Sequence, residues 1–437
     1  MMKVCVQGLW HLGSVTAACL ASVGHQVVGW DPEFVTIDGM NRGQAPIFEP
    51  GLDDAIRAGL ANGKLSFSSD AEHSVSDVQV LWVAFDTPVD EEDQADVTYV
   101  VNQVQAVLPH LPAGAVVLVS SQMPVGSIRK LEAFAKEKLH SKRIQFAYSP
   151  ENLRLGKALD VFLKPDRIVV GVRNSETRRI LEDLIRPITA RVEWMSVESA
   201  EMTKHAINAF LATSVTFANE VAAICELVGA DAKDVERGLK TESRIGPRAY
   251  VSPGGPFAGG TLARDITFLN LASHAHQLST PLLSAVRPSN DEHKNWVRRK
   301  LHQQFESLAG VAVAIWGLTY KPGTDTLRRS LSVEVCNWLL EQGATVWVFD
   351  PAVKQLPAQW SGRVNHCGTA LDALAQAQAL VIGTEWPEFK HLTSGLVANA
   401  QPGLVVVDAN RHLDAKLMPE GVKYISVGTP LALGGQI

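Results

Sequence analysis

One structural plan, written twice in the chain, constrains its fold more than any other feature. Residues 3–7 (KVCVQ) read as a buried strand, followed by a glycine-containing turn, an alanine-rich helix from about Gly13, and a second strand, HQVVGWD, that closes on Asp31. Near the other end, VAVAIWGLTY, the loop KPGTDTLRRS, the helix SVEVCNWLLEQG and the strand ATVWVFD ending at Asp350 repeat the plan. The runs VQVLWVAF, AVVLVSS, IQFAYS and RIVVGV between them alternate with helical stretches, a pattern that predicts a doubly wound parallel sheet covered on both faces. The expected class is therefore α/β, with two Rossmann-like doubly wound domains joined by a long central helix. The boundaries read as 1–196, 197–300 and 301–437. A chain of 437 residues suits about three domains of ~150 residues each.

The joining segment, from about Val197 to Val228, is a long helical stretch without proline. Lys204 and Asn208 lie four residues apart in it and so project from one helical face. Their context, EMTKHAINAFLA, is largely apolar, which favours a buried functional pair over a solvated face. Residues 244–260 (RIGPRAYVSPGGPFAGG) carry too much glycine and proline for a helix and read as a loop. The final LALGGQI, residues 431–437, is the one segment that reads as disordered.

Charge and cysteine content narrow the classes of function. With 40 Lys and Arg against 46 Asp and Glu, the formal charge is −6, which argues against a broad grip on nucleic acid or an anionic membrane. No apolar run reads as approaching the ~20 residues of a membrane span, and the N-terminus shows no secretory pattern. Cys5, Cys19, Cys225, Cys336 and Cys367 are scattered without a CxxC pair, which points to reduced thiols and a cytoplasmic protein. The 13 histidines show no HExxH spacing, so no metal site is expected.

Gly8-Leu9-Trp10-His11-Leu12-Gly13 carries the first and third glycines of the dinucleotide fingerprint G-x-G-x-x-G, but its middle position is Trp10. The first glycine makes the tight turn, the third permits helix–strand packing, and the helix N-terminus faces the pyrophosphate. A side chain at position 10 either blocks the pyrophosphate or points away from it. Asp31, at the strand end, is positioned to accept hydrogen bonds from an adenosine ribose. The competing reading is a Rossmann-like domain that has lost its dinucleotide.

A run of motifs in order then carries a resemblance. These are Asn41-Arg-Gly with Pro46-Ile-Phe-Glu-Pro-Gly-Leu52, Thr87-Pro88, Ala95-Asp96, Pro124-Val125-Gly126, and Ser149-Pro150-Glu151 to Arg154. They continue through Pro165-Asp166-Arg167, Glu201 to Phe210, Asn219-Glu220, Arg244-Ile-Gly246, Pro253-Gly254 to Asp265, and Trp316 to Ser330. Together they resemble the nucleotide-sugar dehydrogenase family typified by UDP-glucose 6-dehydrogenase. The resemblance implies NAD as cofactor and a nucleotide-linked sugar, most readily a UDP-sugar, as substrate. It also implies a two-step, four-electron oxidation in which a cysteine thiolate traps the aldehyde and leaves a thioester for hydrolysis. Lys204 and Asn208 match the residues that steady the oxyanion, Asp265 the aspartate that activates water, and Glu151 the glutamate across the site.

The same resemblance places Gly8, Trp10, His11, Leu12, Gly13, Asp31, Thr87 and Gln122 at the cofactor. It places Glu151, Leu153, Arg154, Lys204, Asn208, Ser252, Gly255, Tyr320, Lys321 and Arg411 at the sugar nucleotide. Arg244 matches an arginine that reaches the neighbouring subunit, which implies a homodimer at least.

Departures gather at the chemistry. The family reads Gly-Gly-Ser-Cys, two residues, then Lys-Asp; this chain reads Gly259-Gly260-Thr261-Leu262-Ala263-Arg264-Asp265, one residue shorter. Counting from the glycines puts Leu262 at the cysteine position, and counting back from Asp265 puts Thr261 there. Neither supplies a thiol. Gln122 and Leu155 also replace a threonine and a glutamate of the family pattern. The expectation is thus an NAD-dependent oxidoreductase of altered chemistry, either two-electron oxidation or redox epimerisation. The alternative is a non-catalytic nucleotide-sugar-binding paralogue in a polysaccharide pathway.

Overall fold

The computed structural model describes residues 1–88, 90, 95–139, 143–151, 153–258, 260–392 and 400–430; the final LALGGQI lies outside the described residues. The chain divides into two compact units, residues 1–207 and 208–437.

The first unit is built on strands β1 (Lys3–Gln7), β2 (Gln26–Trp30), β3 (Leu65–Ser68), β4 (Val80–Val83), β5 (Val116–Val119), β6 (Gln145–Tyr148), β7 (Ile168–Gly171) and β8 (Val192–Met195). They form one sheet in the order β3-β2-β1-β4-β5-β6-β7-β8. Strands β4 and β5 are buried at every residue, as strands covered on both faces must be, and they read as continuous apolar runs. The sheet departs once from the all-parallel expectation: β7 runs antiparallel to β6, touching it at Tyr148 and Gly171. Among its described residues, the short chain between them, 149–167, holds only the six-residue helix Ala158–Leu163. The reversal lets β7 leave at the end of the sheet where β6 finishes.

The second unit carries β9 (Ala312–Trp316), β10 (Thr345–Phe349), β11 (Val364–His366), β12 (Ala379–Ile382), β13 (Val405–Val407) and β14 (Lys423–Ile425). Its order, β11-β10-β9-β12-β13-β14, is the doubly wound 3-2-1-4-5-6 arrangement, parallel throughout. In both sheets the order reverses between the first and fourth strands. The crevice beyond their carboxyl ends is where such sheets take ligands.

A 32-residue helix, Val197–Val228, starts in the first unit and continues into the second. It is about 48 Å long at 1.5 Å per residue. Contrary to the sequence reading, it is long and apolar enough to cross a membrane by length and composition. Its buried Glu201, Lys204, His205, Asn208, Asn219 and Glu226 oppose that use, because hydrocarbon would strand them. The residues 244–260 contain no helix or strand among those described, as their glycines predict.

Candidate active site and nucleotide sites

In the first unit the turn after β1 is tight. Gly8 has φ +89°, and a Cβ there would stand 2.5 Å from the Phe85 ring. A Cβ on Gly13 would overlap the Gly8 carbonyl oxygen, so the helix His11–Ser22 approaches the turn as closely as it does only because position 13 is glycine. Asp31 is buried, and its carboxylate accepts from the main-chain N–H groups of Leu9 (2.7 Å) and Glu33 (2.9 Å). Burial raises its pKa, the two N–H bonds oppose the rise, and the charge of Glu33 adds to it. Two donors leave lone pairs on Asp31 for ribose hydroxyls. The Trp10 side chain is 52% exposed and therefore not packed down over the turn. These residues fit a dinucleotide: Gly8 and Gly13 form the turn, the first helix would offer its N-terminal N–H groups to the pyrophosphate, and Asp31 would take the ribose.

Other predicted cofactor residues serve to hold the loops. His11 pairs with Glu49 (2.9 Å), whose carboxylate also accepts from the N–H groups of Gly156 and Ala158. Thr87 donates to the Gln122 carbonyl (2.7 Å), tying the loop after β4 to the loop after β5. Leu12 N–H donates to Asp86 (3.4 Å), a carboxylate that the sequence reading did not assign.

The first turns of the central helix are fixed to the loops at the carboxyl ends of β5 and β6. Glu201 accepts from the N–H groups of Gly126 (2.8 Å) and Ile128 (3.0 Å), and His205 bonds the Met123 carbonyl (3.1 Å). Lys204 is almost wholly buried and donates to the Glu151 carbonyl oxygen (2.7 Å) and carboxylate (2.9 Å). Leu153 N–H also donates to the Glu151 carboxylate (2.8 Å), so Glu151 is locked by its own loop while it orients Lys204. Arg154 is exposed in the same loop.

In the second unit, Asn208 donates to Asp265, which is fully buried. Asp265 belongs to the helix Thr261–Ala275, not to a loop. Gly259 lies outside the described residues, but the two candidate positions for the missing cysteine are both placed. Thr261 is exposed at the first turn of that helix, and Leu262 packs in a cluster with Phe257, Ala209, Ala212 and Ile266. The five cysteines lie elsewhere, four of them buried. Burial pushes the thiols of Cys5, Cys225, Cys336 and Cys367 up, and that of Cys19 up to about 12.

The loop before this helix is clamped by side chains whose role the sequence did not reveal. Asn219 accepts from Gly254 N–H (2.9 Å), Asn290 exchanges two bonds with the Phe257 backbone (2.9 and 2.8 Å), and His293 bonds the Gly254 carbonyl (2.7 Å). Burial lowers the pKa of His293, against the pull of that carbonyl. Gly255 N–H donates to Asn410 (2.6 Å).

A cavity of about 400 Å³ opens here, lined among others by Tyr250, Gly255, Arg298, Tyr320, Lys321, Arg329 and Asn410. Aromatic rings beside three cations suit a base and a diphosphate. Of the predicted substrate residues in this unit, the structure brings Gly255, Tyr320 and Lys321 together at this cavity. Four others are elsewhere, the first of them Asn208, which bonds Asp265. Ser252 donates to Glu236 and accepts from Lys240 (3.2 Å). Arg244 lies 87% exposed and pairs with Glu242 (2.9 Å). Arg411, at φ +54°, pairs with Asp231 (2.9 Å) and bonds Thr429 (3.3 Å), so its neighbour Asn410 takes the place at the cavity.

A Rossmann domain carrying the dinucleotide turn, a long helix with buried polar pairs, and a second Rossmann domain with a cationic nucleotide cavity define a class of oxidoreductases acting on nucleotide-linked substrates. Comparison with known proteins makes the class specific. Residues 2–189 match the NAD binding domain of the UDP-glucose/GDP-mannose dehydrogenase family, 198–292 its central domain, and 314–415 its UDP binding domain. The chain is 32% identical to UDP-glucose 6-dehydrogenase of Rhizobium meliloti over 98% of its own length and 100% of the relative's. A UDP-glucose dehydrogenase structure from Pyrobaculum islandicum aligns with TM-score 0.88 and 30% identity, covering 99% of this chain and 98% of that one. A UDP-D-ManNAc dehydrogenase structure from Pyrococcus horikoshii, at 23% identity and TM-score 0.85 over 98% and 99% of the two chains, shares the fold. The chain belongs to the UDP-glucose/GDP-mannose dehydrogenase family, and it is an NAD-dependent oxidoreductase.

Proposed function

We propose that this oxidoreductase removes two electrons from a hydroxyl-bearing carbon of a UDP-linked sugar and releases the carbonyl product, without a thioester stage. The observation that carries the reading is the absence of a thiol at both positions open to it, with Thr261 a hydroxyl and Leu262 committed to packing. A threonine hydroxyl near neutral pH lacks the anion that makes a cysteine a trap for an aldehyde. NAD supplies the hydride acceptor. Lys204, aimed by Glu151, and Asn208, one helical turn on, act as donors to the oxygen as its charge develops. Asp265, held by Asn208, takes the hydroxyl proton. Lys321, with Arg298 and Arg329, binds the diphosphate, and Tyr250 and Tyr320 flank the base.

The test is the stoichiometry of turnover on UDP-glucose and its amino-sugar analogues. One NADH per sugar, with a product two hydrogens lighter by mass spectrometry, is expected. Two NADH and a uronic acid would overturn the reading.

The same proposal includes a homodimer. Phe210, Phe217 and Ile224 are all exposed on the central helix at seven-residue intervals, which keeps them on one stripe. Phe217→Glu is expected to shift sedimentation from dimer to monomer; a monomeric parent protein would remove the dimer and the cross-subunit role of Arg244. Five unpaired cysteines support a cytoplasmic location.

A further inference from the structure

We infer that Asp86 is a resident anion at the pyrophosphate position, and that it sets the affinity for NAD by competing with it. The strand order reverses between β1 and β4, so the crevice for the dinucleotide lies between the loop after β1 and the loop after β4. Asp86 stands on the second loop, three residues beyond β4, and its carboxylate reaches Leu12 N–H at the first turn of the helix His11–Ser22. That helix has no acidic residue in its own first turn and no side-chain cap from Trp10. One of its N-terminal donors, Leu12 N–H, therefore receives a negative charge from across the crevice.

A dinucleotide pyrophosphate carries the same charge to the same donors. Bound there, it meets Asp86 as a like charge and must displace it. Two features make displacement feasible. Asp86 is exposed, so its carboxylate can return to water, and its bond to Leu12 N–H is long at 3.4 Å. The outcome is an NAD site that is occupied by an internal ligand when empty of cofactor, with affinity reduced by the competition.

The experiment is calorimetric titration of NAD and of ADP-ribose into the full-length protein and its Asp86→Asn and Asp86→Ala variants, with UDP as a control ligand. Asp86→Asn keeps the shape and removes the charge. Both variants are expected to bind NAD and ADP-ribose roughly tenfold more tightly, in line with the influence of a charge at a helix terminus, with UDP affinity unchanged. Tightening should shrink at high salt, which screens the parent protein's repulsion. Equal or weaker NAD binding in both variants would overturn the inference. Failure of the parent and both variants alike to bind NAD would instead strike the cofactor site itself, and the inference with it.

Discussion

The two Rossmann units begin with the same local chemistry and put it to different uses. Each first strand is followed at once by a glycine at φ +89°, Gly8 and Gly317. Each next residue donates its N–H to the acid that closes the second strand, Leu9 to Asp31 and Leu318 to Asp350, both at 2.7 Å. The second oxygen of each acid accepts from the residue two further on, Glu33 and Ala352. From there they diverge. In the first unit the helix starts at His11, three residues beyond the glycine, and its N-terminus faces the crevice. In the second, the chain inserts residues 318–330 before the helix Leu331–Glu341, and Lys321 and Arg329 from that insertion line the cavity. Asp350 also takes bonds from Thr319 N–H, the Thr319 hydroxyl and the Trp386 indole. One acid keeps spare lone pairs for a ligand; the other has become part of the scaffold. A shared turn thus says where a ligand enters but not which ligand is held, because loop length decides whether helix dipole or side-chain cations do the binding.

The comparison breaks first if the two acids behave alike. Asp350→Ala strands several buried donors at once and is expected to destabilise the second unit by about 3 kcal/mol or more in urea denaturation, at ~1 kcal/mol or more per orphaned group. Asp31→Ala leaves two such N–H groups, so its main effect should be on ligand, with NAD bound roughly 30-fold more weakly by calorimetry. Equal loss of stability in both variants would mean that Asp31 is structural too.

Ligand selectivity sharpens the contrast. Lys321→Ala is expected to weaken UDP binding by about 10- to 100-fold, the range for losing a charge-assisted contact, while NAD affinity stays unchanged. A parallel fall in both affinities would show that the second unit does more than hold nucleotide.

Each unit also holds a carboxylate well below the usual range. Glu198, hydrogen-bonded by Arg173 against the opposing effect of burial, lies at about 2. Burial pushes Glu236 up, but bonds from Lys240, Ser252 and Lys233 outweigh it and hold this group at about 2 as well. A lowered folded-state pKa gives stability that is present above the unfolded value and lost as pH falls through the folded one. Stability should therefore decline from about pH 4.5 towards pH 2, the interval between the ordinary glutamate value and the two depressed ones. Glu236→Gln should remove about 2 kcal/mol at neutral pH and flatten that acid limb. An unaltered limb would assign acid sensitivity to other groups.

Much of this was legible because the determinants are local. The spacing of Gly8, Gly13 and Asp31 defines the turn, and a proline-free stretch foretells the central helix to within its Val197–Val228 bounds. Glycine and proline density marks residues 244–260 as loop. What escaped depends on contacts across long sequence separations. Asp231 lies 180 residues from Arg411, and their pairing takes a predicted ligand residue away from the cavity. Asn219, Asn290 and His293 clamp the loop through side-chain bonds to its backbone, which leave no periodicity to read. Asp86 is an exposed loop acid like many others until the fold carries it to the first helix.

The smallest expected effect concerns the most conspicuous departure in the sequence. Trp10 occupies the middle glycine of the fingerprint, and bulk there invites the inference that it excludes the cofactor. Its side chain is more than half exposed, and its backbone caps the first helix in a non-glycine conformation (φ −74°). No left-handed geometry requires glycine at position 10, in contrast to Gly8. Trp10→Gly should therefore change NAD affinity by less than about threefold, under 1 kcal/mol, well below the gain expected from Asp86→Asn. If Trp10→Gly proves the larger, the obstacle at the pyrophosphate is steric and not electrostatic. The two loops bordering the crevice would then exchange roles, with the β1 loop and not the β4 loop controlling the cofactor.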